Sequence, residues 1–428
     1  MARILVALSG GVDSAIAAQR LKAAGHEVGS VTLDLLPGDA TLPPEVAAHR
    51  LDRAAAVARR LGIAHEVWDY RSLFESQVIA AFVEEYAAGR TPNPCVLCNE
   101  RVKFAALWAQ ARARGWERLA TGHCARKVLL ASGVLEPRAT EAWDILTVAD
   151  AAGGEAIAAA AGRDDPPPAG RFAIARARDS SKDQSYMLWR VDPDLLAHVE
   201  FPLGALTRKE VEELAGRLGL AETVLPASQD LCFVGAGGYP EFLARRSMER
   251  TAMMVPGPIV DADGRTLGRH RGLAFYTIGQ RRGLGVGSPS GRPLFVTGLD
   301  VGTGTLRVGE ANRLFCRGVE GTGFRGFFPP RLIEGGLFRA RIRYRQEALP
   351  GRVLHCDGKA IGFRFERPVR AIAPGQSLVL YAGEVLVGGA FIAGCAADAG
   401  PARAAAGGSE GADGFEPAGG VDTRPSCE

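Results

Sequence analysis

No apolar run in this chain of 428 residues, 47% of them hydrophobic, reaches the roughly 18–20 residues needed to span a bilayer. A helical membrane protein is excluded, and no membrane partner is expected. The opening stretch from Met1 to Leu8 runs too soon into Ser9-Gly10-Gly11 to act as a secretory signal, so the expected location is cytoplasmic. Net charge is almost missing as well. The 51 Lys and Arg against 48 Asp and Glu leave a formal +3, which neither demands nor excludes nucleic acid, because a basic stripe can hide in a balanced total. Internal repeats are absent. Cysteine is thinly spread, at positions 95, 98, 124, 232, 316, 356, 395 and 427. In a reducing cytoplasm a structural disulfide framework is not expected, and most of these thiols read as small buried hydrophobes. No second pair with zinc-finger spacing accompanies Cys95-x-x-Cys98, which argues against a zinc site.

The length is too great for one core and predicts two or three domains. Residues 3–8, 27–35, 64–70 and 118–121 read as strands. Residues 14–24, 44–61, 72–88 and 98–114 read as helices, four of whose stops are Gly25, Gly62, Gly89 and Gly115. Such alternation predicts an α/β fold with a parallel sheet covered by helices on both sides. An Ala/Gly/Pro-rich segment at 131–170 reads as an inserted, partly disordered loop. Residues 201–219 read as helical, with Thr207 capping a turn. From about Pro256 short β-rich runs at 294–299, 305–308, 338–344, 360–365, 377–381 and 385–392 suggest a small β-barrel. The resulting division is 1–200, 201–255 as a small central domain, 256–395 as the barrel, and a disordered tail at 396–428.

The segment Ser9-Gly10-Gly11-Val12-Asp13-Ser14 ends a strand and opens a helix. Two glycines let backbone N–H groups close on a phosphate, and the helix N-terminus adds partial positive charge. Ser9 and Ser14 supply hydroxyls, and Asp13 can orient the loop or hold magnesium. A Gly-rich turn that merely starts a helix is the plainer alternative. The motif has neither the lysine of a Walker loop nor the spacing of a dinucleotide fingerprint. It resembles the PP-loop of ATP pyrophosphatases, which split ATP between the α- and β-phosphates to adenylate a substrate oxygen.

Two further segments bear on what is activated. In Thr91-Pro92-Asn93-Pro94-Cys95-Val96-Leu97-Cys98-Asn99-Glu100-Arg101-Val102-Lys103-Phe104, two prolines stiffen the approach to a helix carrying thiols in its first turns. A thiol there is expected to have a lowered pKa, reinforced by Arg101 and Lys103, and to be a nucleophile. In Ala227-Ser228-Gln229-Asp230-Leu231-Cys232-Phe233-Val234, a lone cysteine beside phenylalanine suits a core, while the polar Ser-Gln-Asp suits a site.

With these motifs in order, and with Thr121-Gly122-His123, Ser181-Lys182-Asp183-Gln184-Ser185-Tyr186, the run Tyr276 to Leu284, Arg341-Ile342-Arg343-Tyr344 and Pro374-Gly375-Gln376, the chain resembles tRNA-specific 2-thiouridylases of the MnmA type over nearly its whole length. The resemblance implies a Rossmann-like PP-loop domain of the adenine nucleotide alpha hydrolase kind, a small central domain and a C-terminal barrel. It implies that ATP, with Mg2+, adenylates O2 of the wobble uridine in a tRNA anticodon stem-loop. A cysteine desulfurase or sulfur-relay protein then loads a persulfide on Cys232, whose sulfur goes to C2. Cys98 assists as nucleophile or by a transient disulfide with Cys232. Carried over by motif, Ala7, Leu8, Ser9, Gly10, Gly11, Val12, Asp13, Ser14, Leu33 and Gly122 form the ATP site. Asn93, Pro94 and Cys95 meet the flipped base. His123, Lys182, Asp183, Gln184, Arg343, Tyr344 and Gln376 contact tRNA. The arginines at 339, 341, 343 and 345 alternate as on one strand face, suiting a phosphate backbone or simply solvent.

Cys95 departs from the family, in which many members carry Asp at that place. Cys95, Cys98 and Cys232 together could hold a [4Fe-4S] cluster with one open iron. Two rival readings stand beside thiolation. An amide-forming PP-loop ligase would need neither Cys98 nor Cys232, and a non-catalytic tRNA-binding protein would keep ATP only as a structural ligand.

Overall fold

A computed structural model describes residues 1–36, 44–130, 171–220, 231–235, 237–246, 253–288 and 291–396. The expected insert at 131–170, the segment Ser228-Gln229-Asp230 and all of the tail after Ala396 lie outside the described residues. Strands β1 (Arg3–Ala7), β2 (Glu27–Asp34), β3 (Ala64–Asp69), β4 (Arg118–Thr121) and, after the hairpin β5 (Ala125–Leu130) and β6 (Arg171–Arg176), β7 (Val199–Glu200) open the chain. Five of them make a parallel sheet in the order β3-β2-β1-β4-β7.

Successive side chains of a strand face opposite ways, and β1 uses both faces. Ile4 and Val6 join one core with Ala15, Ile16 and Leu21 of helix α1 (Val12–Ala23) and Ala54 and Val57 of α2 (Pro44–Leu61). Leu5 joins the other, with Phe74 and Phe82 of α3 (71–87) and Val102, Phe104 and Trp108 of α4 (94–113). Both α3 and α4 contain a wider π-helical stretch, Glu75–Ile79 and Cys98–Ala106 respectively. The expected helix over 201–219 is confined to α5 (Arg208–Arg217), where Thr207 and Glu210 form a capping box. Pro202 and Gly204 oppose helix before it. Helix α6 (Gly238–Arg245) follows.

Beyond it the chain is β-rich. Strands β8 (Gly257–Val260), β9 (Thr266–His270), β10 (Phe295–Asp300) and β11 (Thr305–Gly309) form a separate four-stranded sheet ordered β10-β11-β8-β9, so the runs at 294–299 and 305–308 lie outside the barrel that was expected to span 256–395. Strands β12 (Phe315–Gly326), β13 (Leu337–Arg341), β14 (Leu349–Cys356), β15 (Ala360–Arg370), β16 (Ser377–Ala382) and β17 (Val385–Ala396) close into a six-stranded barrel, because β12 pairs with both β15 and β17. The β5–β6 hairpin joins the barrel strands rather than the parallel sheet, through Ala175 against Val385. That link draws the segment after β6 onto the barrel. Tyr186 Oη donates to the Ser377 carbonyl at 2.9 Å and Trp189 Nε1 to Ser377 Oγ at 3.0 Å.

Two sequence expectations fail in the barrel. Cys316 and Cys395 are joined as a disulfide, although no structural disulfide was expected. The expectation weighed compartment alone, whereas β12 and β17 are antiparallel neighbours that bring the two cysteines to a Cα separation of 6.4 Å, within bridging range. The second concerns the alternating arginines. Strand β13 ends at Arg341, and Arg341 is buried in an ion pair with Asp183. A continuous basic strand face over 339–345 therefore does not form.

Candidate active site

The loop between β1 and α1 is organised by its own hydroxyls. Ser14 Oγ donates to the Gly11 carbonyl at 3.1 Å and accepts from the Ser9 backbone N–H at 3.1 Å. The Ser9 hydroxyl lies 3.1 Å from that of Ser14. Gly11 caps α1 without any side-chain hydrogen bond, so the first N–H groups of the helix stay open toward an anion. Gly10 has φ +76°, a left-handed conformation that favours glycine.

Gly122, just past β4, approaches α1 too closely for any side chain. A Cβ there would sit 2.7 Å from the Ser14 nitrogen and 2.9 Å from Asp13 C. Overpacking against backbone costs about 1–3 kcal/mol. Gly122→Ala should therefore weaken ATP binding about 5–150-fold while the protein still melts cooperatively; titration calorimetry would show an unchanged affinity if this contact were unimportant.

A cavity of about 280 Å³ opens at the C-terminal ends of β1, β2 and β4. In open parallel sheets that is where ligands bind, at the point where strand order reverses. Its walls include Ala7, Leu8, Ser9, Asp13 and Ser14 from the loop, Leu33 and Asp34 from β2, and Gly122 and His123 after β4. Lys103, Gln184, Arg50 and Cys232 complete it. Among the residues expected at ATP, Gly10, Gly11 and Val12 are not on its walls; a Cβ on Gly10 would lie 3.2 Å from the Ala54 nitrogen of α2. Asp13 pairs with Arg208 Nη1 at 3.0 Å. Burial raises its pKa, while Arg208 and then Lys182 pull it back.

The cysteines meet the same cavity from the other side. Phe233 anchors its loop in the core against Phe74, Phe82 and Phe242, leaving the half-buried Cys232 on the cavity wall. Lys103 faces Cys98, Cys95 and Cys232. Its own burial lowers its pKa, but these thiols raise it further, and the net direction is up. The expected lowering of the Cys98 pKa is reversed. The thiol is buried and pushed up to about 12, because desolvation outweighs the opposing charge of Lys103. The helix begins at Pro94, with Asn93 as its cap, so Cys98 sits a full turn past the strongest part of the dipole. Arg101 does not assist either, since its Nη1 donates to Gln77 on α3. Cys95 opens to solvent; the protein around it still raises its thiol, with Lys103 opposing. Among the described residues no group of three or more His, Cys, Asp or Glu side chains is arranged to hold a metal ion.

The residues expected at tRNA divide into three groups. His123 and Gln184 line the nucleotide cavity. His123 is kept neutral, its pKa lowered to about 3 by burial and by Lys103, and its Nδ1 lies 2.9 Å from Thr121 Oγ1. Lys182 acts on Asp13 electrostatically. Asn93 and Gln376 are tied inward: Asn93 Nδ2 to Met187 Sδ at 3.2 Å, and Gln376 Nε2 to the Thr91 carbonyl at 2.9 Å. Pro94 is buried within the first turn of α4. Asp183 is a correction to the expected tRNA contacts, because its side chain has no exposure and is consumed by Arg341 and backbone N–H groups. Arg343 and Tyr344 lie on the barrel side, exposed and half-buried, with Arg343 Nη2 donating to the Ala371 carbonyl at 2.8 Å.

Sequence reasoning missed Arg50 and Arg208. Arg208 did leave a signal, a cation in the first turn of a helix, placed against the dipole. Arg50 left none, as it reaches the site from α2 by donating to the Cys232 carbonyl at 3.4 Å.

Comparison with known proteins decides the family. Three profiles match in succession: a tRNA methyl transferase HUP domain over residues 2–236, a tRNA methyl transferase PRC-barrel domain over 241–310, and an aminomethyltransferase beta-barrel domain over 331–392. The tRNA-specific 2-thiouridylase MnmA of Roseiflexus castenholzii is 41% identical over 393 residues, 90% of this chain and 98% of that one. The protein of the same name from Moorella thermoacetica is 39% identical over 387 residues, 90% of this chain and 97% of that one. This chain belongs to the tRNA-specific 2-thiouridylase family. As a 2-thiouridylase it has the α/β PP-loop domain, the small central domain and the closed barrel implied by its motifs. Among the described residues of this 2-thiouridylase no helix is long and apolar enough to cross a membrane.

Proposed function

We propose that the chain thiolates a tRNA uridine at C2 in two steps that share the cavity described above. The observation that carries this is the meeting of Ser9, Asp13 and Ser14 with Cys232 and Lys103 on the walls of that one cavity. In the first step O2 of the base attacks the α-phosphorus of ATP; the new O–P bond forms as the bond to the β-phosphate oxygen breaks, and pyrophosphate departs with the electron pair. The open N–H groups of α1 and the hydroxyls of Ser9 and Ser14 bind the phosphates. Leu33 supports the adenine, and Gly122 permits close approach. Asp13 and Asp34 are the hard oxygen donors that suit Mg2+, which takes one or two carboxylates alongside phosphates and would neutralise phosphate charge.

In the second step the outer sulfur of a persulfide on Cys232 attacks C2 and AMP leaves. The minor thiolate fraction of Cys98, favoured by the charge of Lys103, then attacks Cys232 Sγ, forming a Cys98–Cys232 disulfide and leaving the sulfur on C2. A thiol reductant resets the pair. The sulfur donor is a cysteine desulfurase or relay protein whose persulfide must reach the half-buried Cys232. The base enters past Asn93 to Cys95, with the tRNA held by Arg343 and Tyr344. Lys103 is the cation that offsets both thiolates, and neutral His123 can accept or donate a hydrogen bond without adding charge.

Mass spectrometry of tRNA nucleosides from cells lacking the protein should show 2-thiouridine derivatives lost. Purified protein with ATP and unmodified tRNA should release pyrophosphate. Binding of tRNA without pyrophosphate release would instead favour a non-catalytic binder, and intact 2-thiouridine in the deletion strain would sink the proposal.

A further inference from the structure

We infer that Arg208 supplies the cation which the nucleotide loop lacks, and that its guanidinium contacts the β- and γ-phosphates of bound ATP. This rests on the adenylation reading of the cavity. The segment from Ser9 to Ser14 contains neither lysine nor arginine. Backbone N–H groups and the partial charge of a helix end orient a phosphate, but they leave most of the charge of a departing pyrophosphate uncompensated.

The fold brings the missing charge from far downstream. Helix α5 packs on α1, placing Val211 and Ala215 in the same core as Ala15 and Ala18, and its first residue is Arg208. Three contacts fix that residue. Its backbone N–H donates to Asp179 Oδ2 at 2.9 Å, Nε donates to Glu212 Oε1 at 2.6 Å, and Nη1 donates to Asp13 Oδ1 at 3.0 Å. The planar fork is thereby aimed at the nucleotide loop, while Nη2 has no hydrogen-bond partner among the described residues. The side chain keeps 25% of its exposure, enough for a phosphate oxygen to reach it. A guanidinium suits this task because it offers phosphate a fixed two-pronged donor.

Position supplies the second argument. A cation in the first turn opposes the helix dipole, and the capping box of Thr207 and Glu210 already secures the start of α5 without it. The i,i+4 pair with Glu212 offsets part of that cost, and an anion held between the N-terminus of α1 and that of α5 gives the arginine a further reason to stand here. Asp13 would hold the guanidinium in place until the phosphates arrive.

The competing account is a structural ion pair that merely pins Asp13. The two differ in which ligands notice the loss. A phosphate contact beyond the α-position matters to ATP and not to AMP, whereas a disturbed loop weakens both. Affinities for ATP and AMP would be measured by calorimetry on the full chain, without tRNA, for wild type, Arg208→Ala and Arg208→Lys. Arg208→Ala should weaken ATP about 10–100-fold, the scale of a lost charged hydrogen bond, and AMP less than about twofold. Pyrophosphate release with tRNA should fall about 100-fold, and Arg208→Lys should recover part of both. Equal weakening of ATP and AMP, or no change in either, overturns the assignment and leaves the adenylation reading intact. A wild-type protein that binds no ATP overturns both.

Discussion

Cys232→Ser and Cys98→Ser should each lower 2-thiouridine formation to about 0.1% of wild type or less, the scale on which loss of a covalent nucleophile is felt, with ATP affinity unchanged. The two cysteines fail for different reasons. Cys232 is half-buried on the cavity wall and carries the sulfur, so its loss leaves an adenylated tRNA with no sulfur to receive. Cys98 is buried and resolves the mixed disulfide, so its loss should trap tRNA on Cys232. A gel without reductant would show that adduct in the Cys98→Ser protein and not in the Cys232→Ser protein. Cys95→Ser is the control with the most to say. Cys95 has no step in the persulfide route and should keep more than half of the activity, whereas dependence on a three-cysteine cluster would abolish it. Because burial pushes the Cys98 thiol up to about 12, its alkylation in the tRNA-free protein should rise nearly tenfold per pH unit between pH 7 and 9. A plateau in that range would mean a far more acidic thiol than this burial allows.

The Cys98 correction shows what a sequence conceals. The order of strand, glycine-rich loop and helix is local, so the nucleotide loop from Ser9 to Ser14 could be read directly, and the hydrophobic periodicity of 44–61 matched α2. What surrounds a residue in space is not local. Lys103 lies five positions after Cys98 and was legible as a neighbour, but the desolvation that outweighs it comes from a core of α3 and α4 side chains such as Phe74 and Val102. The same holds for the arginines near 341. Their alternation predicts one shared strand face, but the partner that buries Arg341, Asp183, comes from 158 positions away. Arg208 and Asp13 are 195 positions apart, and no spacing rule connects them.

Asp183→Ala should cost about 3–5 kcal/mol of stability, as expected when one partner of a buried ion pair is removed. The Asp183 carboxylate has no exposure and accepts from Arg341 Nη1 at 2.8 Å and from the backbone N–H groups of Ala177 and Ser185, both at 3.1 Å. Without it Arg341, only 4% exposed, would be left as a buried charge whose Nε already lacks a hydrogen-bond partner. Asp183→Asn keeps the shape and one acceptor oxygen for the backbone groups, so it should cost less than Asp183→Ala, while Asp183→Ala combined with Arg341→Met removes the more deeply buried of the two cations paired with Asp183, the other being Arg176 at 3.5 Å, and should recover part of the loss. Denaturant midpoints of the three variants would measure this order. The pair also reaches the chemistry, because the next residue, Gln184, lines the nucleotide cavity and exchanges two hydrogen bonds with the backbone of Cys124, its Oε1 accepting from the Cys124 N–H and its own N–H donating to the Cys124 carbonyl, each at 2.8 Å. Releasing Asp183 frees that turn, so ATP affinity should fall along with stability in Asp183→Ala, stay low in the double variant, which still lacks the acceptor, and be better kept in Asp183→Asn. Stability lost with ATP affinity untouched would mean that the barrel contact and the nucleotide site are mechanically independent.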